Sequence, residues 1–199
     1  MFSNSIAAPL LFAVVATITP GGATTLVTAS GAQFGFRRSI PLIVGLVVGL
    51  AALGAAAAAG LAGLLLAVPS LQVIVKLIGS AYLTRLAWKI GRSGPPSSPT
   101  NVAAPMSLIG GVGLLWLNPK GWTMTLGAAA SFAGVVGGPF QLAALLGTVF
   151  GFAAVVSLTL WCTAGLLLAR MLRTNRHWRV VNTILAFLLI TSIIPMWLG

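Results

Sequence analysis

Six long apolar runs alternate with short polar or basic stretches along the chain, at approximately 6–32, 40–68, 70–90, 105–134, 140–169 and 180–198. A membrane helix needs about 20 predominantly apolar residues, so each run predicts one span. Pro69 separates the second run from the third, a Pro/Ser-rich stretch over 94–99 separates the third from the fourth, and Gly137, Gly138 and Pro139 separate the fourth from the fifth. The first run lacks a basic leader and exceeds the usual apolar core of a signal peptide, so it is read as a span. The runs are apolar on all faces, and periodicity therefore does not say which side of each helix meets lipid.

Two of the runs are interrupted near their middles, by Thr19, Pro20, Gly21 and Gly22 in the first and by Asn118, Pro119, Lys120 and Gly121 in the fourth. Proline removes an amide donor and clashes with the preceding turn, and the adjoining glycine loosens the helix further. Carbonyls freed in this way are tolerated at membrane depth only against protein or a water-filled cavity. Pro20 and Pro119 stand 99 residues apart in a chain of 199, which divides it into two halves of three runs. An odd number of spans per half inverts the second half relative to the first, and paired breaks in inverted halves point to a transport site at the midplane. The expected fold is an all-α integral membrane protein, a single transmembrane domain over 1–199, with six transmembrane helices as two inverted three-helix repeats, 1–99 and 100–199. Gly45/Gly49 and Gly147/Gly151 repeat a small-xxx-small spacing in equivalent helices, for which ordinary close packing is the simpler reading.

Composition agrees with that class, since 58% hydrophobic and 6% charged residues cannot cover a soluble globule. The charge balance adds more. There are eleven Lys and Arg and no Asp or Glu. Arg37 and Arg38, then Arg85, Lys89 and Arg92, then Arg170, Arg173, Arg176 and Arg179 all fall on the same side of the expected spans, which the positive-inside rule makes cytoplasmic. Both termini are then outside. This placement favours contacts with anionic lipid at the cytoplasmic face and argues against nucleic-acid binding. Cys162 is the sole cysteine, so no intramolecular disulfide forms, and His177 has no second ligand with which to hold a metal.

Lys76 and Lys120 lie inside apolar runs with no carboxylate in the chain to meet them. Ionisable groups at membrane depth are costly and usually mark a solute or ion pathway. Lys76 stands about 9 Å from the outer end of its run at 1.5 Å per residue, so snorkelling is its alternative. A half-helix amino terminus offers free amides to an anion, which makes Gly21, Gly22 and Lys120 candidates for holding a carboxylate, with Thr19 and Asn118 as hydrogen-bonding neighbours. Tyr82 is either a ligand or a packing residue with a satisfied hydroxyl.

The chain resembles the LysE/RhtB family of bacterial amino-acid exporters. The resemblance rests on Thr19-Pro20-Gly21, the run from Val75, Lys76 and Leu77 through Gly79, Ser80, Ala81, Tyr82 and Leu83 to Trp88 and Lys89, and Leu117-Asn118-Pro119-Lys120. It implies a six-span exporter in the bacterial inner membrane, with inverted repeats and a site drawn from Thr19, Pro20, Gly21, Gly22, Lys76, Tyr82, Asn118, Pro119 and Lys120. Two departures bear on cation recognition and coupling: Gly22 and Ala23 replace the Pro-Asn common after the first break, and Leu50 or Ala51 stands where many members carry an acidic residue.

The missing carboxylates favour neutral amino acids or small carboxylates over cationic solutes, because a cationic side chain would need a counter-charge to replace its hydration. The function expected is export of amino acids or related small carboxylate solutes, with neutral substrates preferred, no catalytic residue, no cofactor and no metal. A homo-oligomer is compatible with this reading. The alternatives are an anion-selective channel and a non-transporting membrane scaffold subunit. An intramembrane enzyme is disfavoured by the lack of a carboxylate pair, a His-Glu metal motif or a histidine at membrane depth.

Overall fold

The computed structural model describes residues 2–61, 67–93, 104–172, 174–194 and 197. Among these the chain is all-α: α1 (Phe2–Ile18), α2 (Gly22–Ala56) continued by a wider π turn (Ala57–Leu61), α3 (Pro69–Arg92), α4 (Leu108–Trp116), α5 (Pro119–Ser131), α6 (Pro139–Met171) and α7 (Asn175–Thr191). The Pro/Ser-rich stretch over 94–99 and Arg173 lie outside the described residues.

Both interruptions read from the sequence are true helix ends. α1 stops at Ile18, and α2 begins after Gly21, an N-cap in extended conformation with φ −171° and ψ −172°. Gly21 has no side chain to cap the new helix, but its own N–H donates to Thr24 Oγ1 at 2.8 Å. Asn118 starts α5 by accepting from the Lys120 amide at 3.1 Å, and Pro119 fills the first helical position, where no donor is needed.

Two helices, Gly22–Leu61 and Pro139–Met171, are long and apolar enough to cross a membrane, and Ile6–Ile18 is apolar but shorter. Six uniform spans are not what the described residues present, for physical reasons. The breaks cut the first and fourth apolar runs into pieces, α3 carries Lys76, Arg85, Lys89 and Arg92, and α7 has 17 residues with Arg176 and Arg179 near its start. The polar link expected around Arg37 and Arg38 shrinks to one residue. Gly35 alone leaves the helical conformation, at φ 77° and ψ 170°, and both arginines sit exposed on the turn that follows. A positive φ of this kind is readily available only to glycine. α7 likewise starts at Asn175, ahead of the apolar run expected from 180, because Thr174 caps it by accepting from the His177 amide.

The centre of the molecule is the pairing of α2 with α6. Helices this apolar gain little from the hydrophobic effect within lipid, so close approach supplies the packing. A β-carbon on Gly31 would fall 2.2 Å from the Cys162 carbonyl oxygen, and one on Gly165 would fall 2.1 Å from that of Thr28. Gly45 lies equally close to α4, at Leu108, and Gly147 and Gly151 pack on Ala51 and Ala55, so both small-xxx-small pairs serve helix contacts. Phe150, Leu42, Leu46, Leu53 and Leu146 fill the interior, while Ile109, Phe140, Phe152, Leu160 and Phe187 point outward. α3 packs mainly on α7, where Asn182 Nδ2 donates to the Ser93 carbonyl at 2.6 Å.

Candidate functional site

The two breaks, distant in sequence, meet in space. Ending α1 at Ile18 leaves its last carbonyls without intrahelical donors, and each takes a partner from another helix, Thr17 in the interior and Ile18 and Thr19 at the exposed margin. Ser157 Oγ of α6 donates to the Thr17 carbonyl at 2.8 Å, and Trp161 Nε1, one turn on, donates to that of Ile18 at 3.1 Å. The Thr19 carbonyl is taken by Lys120 Nζ from the first turn of α5. Lys120 thereby ties the first break to the second. Its side chain crosses the face of Gly21, where a β-carbon would lie 2.9 Å from Lys120 Cδ and 3.4 Å from Nζ.

A cavity of about 30 Å³ lies between the breaks, with Thr17, Gly21, Thr24, Asn118, Lys120 and Ser157 as its polar side and Leu46, Leu50, Leu115, Met124 and Leu158 as its apolar side. That volume holds one or two waters and excludes an amino acid. Asn118 is 4% exposed. Its oxygen is fixed by capping Lys120, which leaves its two N–H donors facing the start of α2: a β-carbon on Gly22 would sit 3.5 Å from Asn118 Nδ2. Among the described residues nothing accepts from that nitrogen. The uncapped first turn of α2, the free amide of Asn118 and the Lys120 ammonium are three kinds of donor brought together with no carboxylate to meet them.

Wider cavities lie on either side along α2, which presents Leu42, then Leu46 and Leu50, then Ala57 to three spaces in turn. The space at Leu42 is about 280 Å³ and includes Ser30, Gln33, Lys89 and Ser93. The space at Ala57 is about 400 Å³ and is lined by apolar residues and glycine, including Leu126, Ala130 and Pro139.

Of the residues singled out in the sequence, Gly21, Asn118 and Lys120 share the central cavity, and Thr19 joins them at its margin through its carbonyl. Gly22 is buried next to it, close to Leu83, Leu189 and Asn118; Pro119 is buried and Pro20 exposed at their respective breaks. Lys76 and Tyr82 lie on α3, outside the lining of that cavity. The Tyr82 hydroxyl is 3.8 Å from Met106 Sδ. Thr17, Thr24, Ser157 and Trp161 were not evident from the sequence. Thr24 had a signal, three residues after the N-cap Gly21, where a capping side chain belongs. Ser157 and Trp161 had none, since single polar groups in an apolar helix do not disclose their partners.

The family model for the LysE type translocator matches residues 14–192. Curated relatives called cysteine/O-acetylserine efflux protein, from Salmonella typhimurium and from Escherichia coli K12, are each 28% identical over 186 residues, covering 90% of this chain and 90% of the relative. One of the same description from Klebsiella pneumoniae is 29% identical over 120 residues, covering 60% of this chain and 61% of the relative. No solved structure matches the chain at a significant level. The match takes in both helix breaks and every residue of the central cavity, and the chain belongs to the LysE type translocator family, whose members are translocators rather than enzymes.

Proposed function

We propose that this protein is a secondary transporter that exports neutral amino acids, or closely related small carboxylate solutes, from the cytoplasm across a bacterial inner membrane. The observation that carries the reading is the meeting of the two helix breaks at Lys120, Asn118 and the bare start of α2, on a helix face that also borders a cavity on each side. In this reading the chain crosses the bilayer six times, as α1 with the start of α2, the rest of α2, α3, α4 with α5, α6, and α7. The second three spans are inverted relative to the first, the basic segments face the cytoplasm and both termini are outside.

The substrate carboxylate binds at the start of α2, held by the free first-turn amides, by Asn118 Nδ2 and by Lys120. A helix amino terminus and an ammonium together favour one negative charge. Selection against lysine- or arginine-like solutes follows from the absence of Asp and Glu, because a second cation beside Lys120 would be buried without a counter-charge. Efflux of cysteine and O-acetylserine, for which the curated relatives are named, fits this class, since both solutes carry a small uncharged side chain. With room for only one or two waters at its centre, the protein is a carrier that must open to admit solute, and a standing anion channel is disfavoured.

Proteoliposomes loaded with labelled neutral and cationic amino acids, cysteine and O-acetylserine among them, test the proposal. Protein-dependent efflux of neutral solutes is expected, abolished by Lys120→Ala with insertion intact. Efflux that is equally fast for lysine, or unaffected by Lys120→Ala, overturns it. Lys120→Arg rescues poorly, because a planar guanidinium replaces a compact ammonium in a confined space.

A further inference from the structure

An α-amino acid carries an ammonium as well as a carboxylate, and a chain with no Asp or Glu offers that ammonium no counter-charge. We propose that the backbone carbonyl of Thr19 is the ammonium subsite, and that Lys120 occupies it while no substrate is bound. This rests on the export reading and specifies its ligand: a zwitterion, with both charges on the α-carbon.

The carbonyls released at the end of α1 are not alike. Those of Thr17 and Ile18 accept from Ser157 and Trp161, neutral donors on the long helix α6. The Thr19 carbonyl alone accepts from a charged, flexible side chain that belongs to the other break. Its helical donor would be the N–H of Ala23, which lies beyond the break in the first turn of α2, so no amide of α1 closes this position. A substrate ammonium presents the same charge and the same three N–H donors as the lysine, so it can replace Lys120 Nζ at no loss of hydrogen bonding. The displaced Nζ need not travel far to reach the start of α2, since it already lies 3.4 Å from where a β-carbon on Gly21 would be. There it meets the carboxylate.

The exchange keeps the charge of the site constant. One lysine cation is present before binding, and one cation with a neutral zwitterion after it. A 2-hydroxy acid would draw Lys120 to its carboxylate and offer the Thr19 carbonyl only a neutral hydroxyl donor, and a simple amine would displace Lys120 without supplying the carboxylate that receives it. Either loses a charge-assisted hydrogen bond, equivalent to about a tenfold fall in affinity or more.

Thermal unfolding of the detergent-solubilised full-length protein tests the subsite directly. In Lys120→Ala the carbonyl is vacated, and ethylammonium is expected to raise the unfolding temperature by about 2 °C or more, as binding to the folded state must. Wild type should respond less at the same concentration, because ethylammonium must there displace Lys120 without supplying a carboxylate, and Lys120→Ala should not respond to tetramethylammonium, which has no N–H donor. Lys120→Ser repeats the measurement if the alanine variant does not fold. Absence of the ethylammonium response in the folded variant, or an equal response in wild type or to tetramethylammonium, overturns the subsite. In a second arm, L-alanine should inhibit wild-type efflux at about one-tenth the concentration of L-lactate or ethylamine, and equal potency overturns the exchange. Failure of wild type to export any amino acid would instead remove the export reading, and the unfolding measurement would still decide whether Thr19 binds an ammonium.

Discussion

Gly21 and Lys120 occupy one space: a β-carbon on the glycine would lie 2.9 Å from the lysine's Cδ. The glycine's backbone is extended, so no strain in φ explains its presence, and the contact is with a flexible side chain rather than with backbone. Gly21→Ala is therefore expected to fold with a thermal unfolding temperature near wild type and to export slowly, because the new methyl group moves Lys120 off the Thr19 carbonyl. An unchanged efflux rate for Gly21→Ala would show that Lys120 need not hold this position.

Asn118 has two duties that one substitution separates. Aspartate caps a helix as well as asparagine does, so Asn118→Asp keeps the bond to the Lys120 amide while replacing the free N–H donors with a second carboxylate oxygen. Stability is expected to be retained and transport lost, since that oxygen repels a substrate carboxylate and pairs with Lys120. Efflux and thermal unfolding measured on the same preparation check both halves. Retained transport would confine Asn118 to capping.

Where α2 crosses α6, backbone meets backbone. Gly31→Ala and Gly165→Ala place a methyl group about 2 Å from a carbonyl oxygen that cannot rotate away, and each is expected to destabilise the fold by about 1–3 kcal/mol. Gly113→Ala, with nothing within 4 Å of the added carbon, serves as the control and should be neutral or stabilise by up to about 1 kcal/mol. Thermal unfolding of the three variants in one detergent ranks them.

Lys76 is half-buried on α3 and absent from the lining of the central cavity. Lys76→Gln is accordingly expected to leave the efflux rate within about twofold of wild type, in contrast to the loss expected for Lys120→Ala. Abolished efflux in a correctly inserted Lys76→Gln protein would bring α3 into the pathway and require a site wider than the one between the breaks. Surface changes away from specific contacts are usually small, which sets the scale of that contrast.

The breaks were legible in the sequence because proline and glycine interrupt an apolar run in a way no packing can hide, and with them came Gly21, Asn118 and Lys120, which line the cavity between the breaks. Their partners were not legible. Ser157 and Trp161 reach Thr17 and Ile18 across roughly 140 residues of chain, and a helix that is apolar all round carries no periodicity to say which of its polar groups turns inward. Gly35 escaped for a different reason. The sequence marked a link there by its arginines, but the turn needs only one glycine with positive φ, so the basic residues belong to a helix and not to a loop.

The narrowness of the central cavity also bears on what sets the turnover rate. Between Leu46, Asn118 and Ser157 there is room for one or two waters, with leucine and methionine on the apolar side. An amino acid cannot diffuse through such a space, so under the export reading each turnover waits on helix motion at the breaks, and the rate should follow the stiffness of the bundle more closely than the size of the solute.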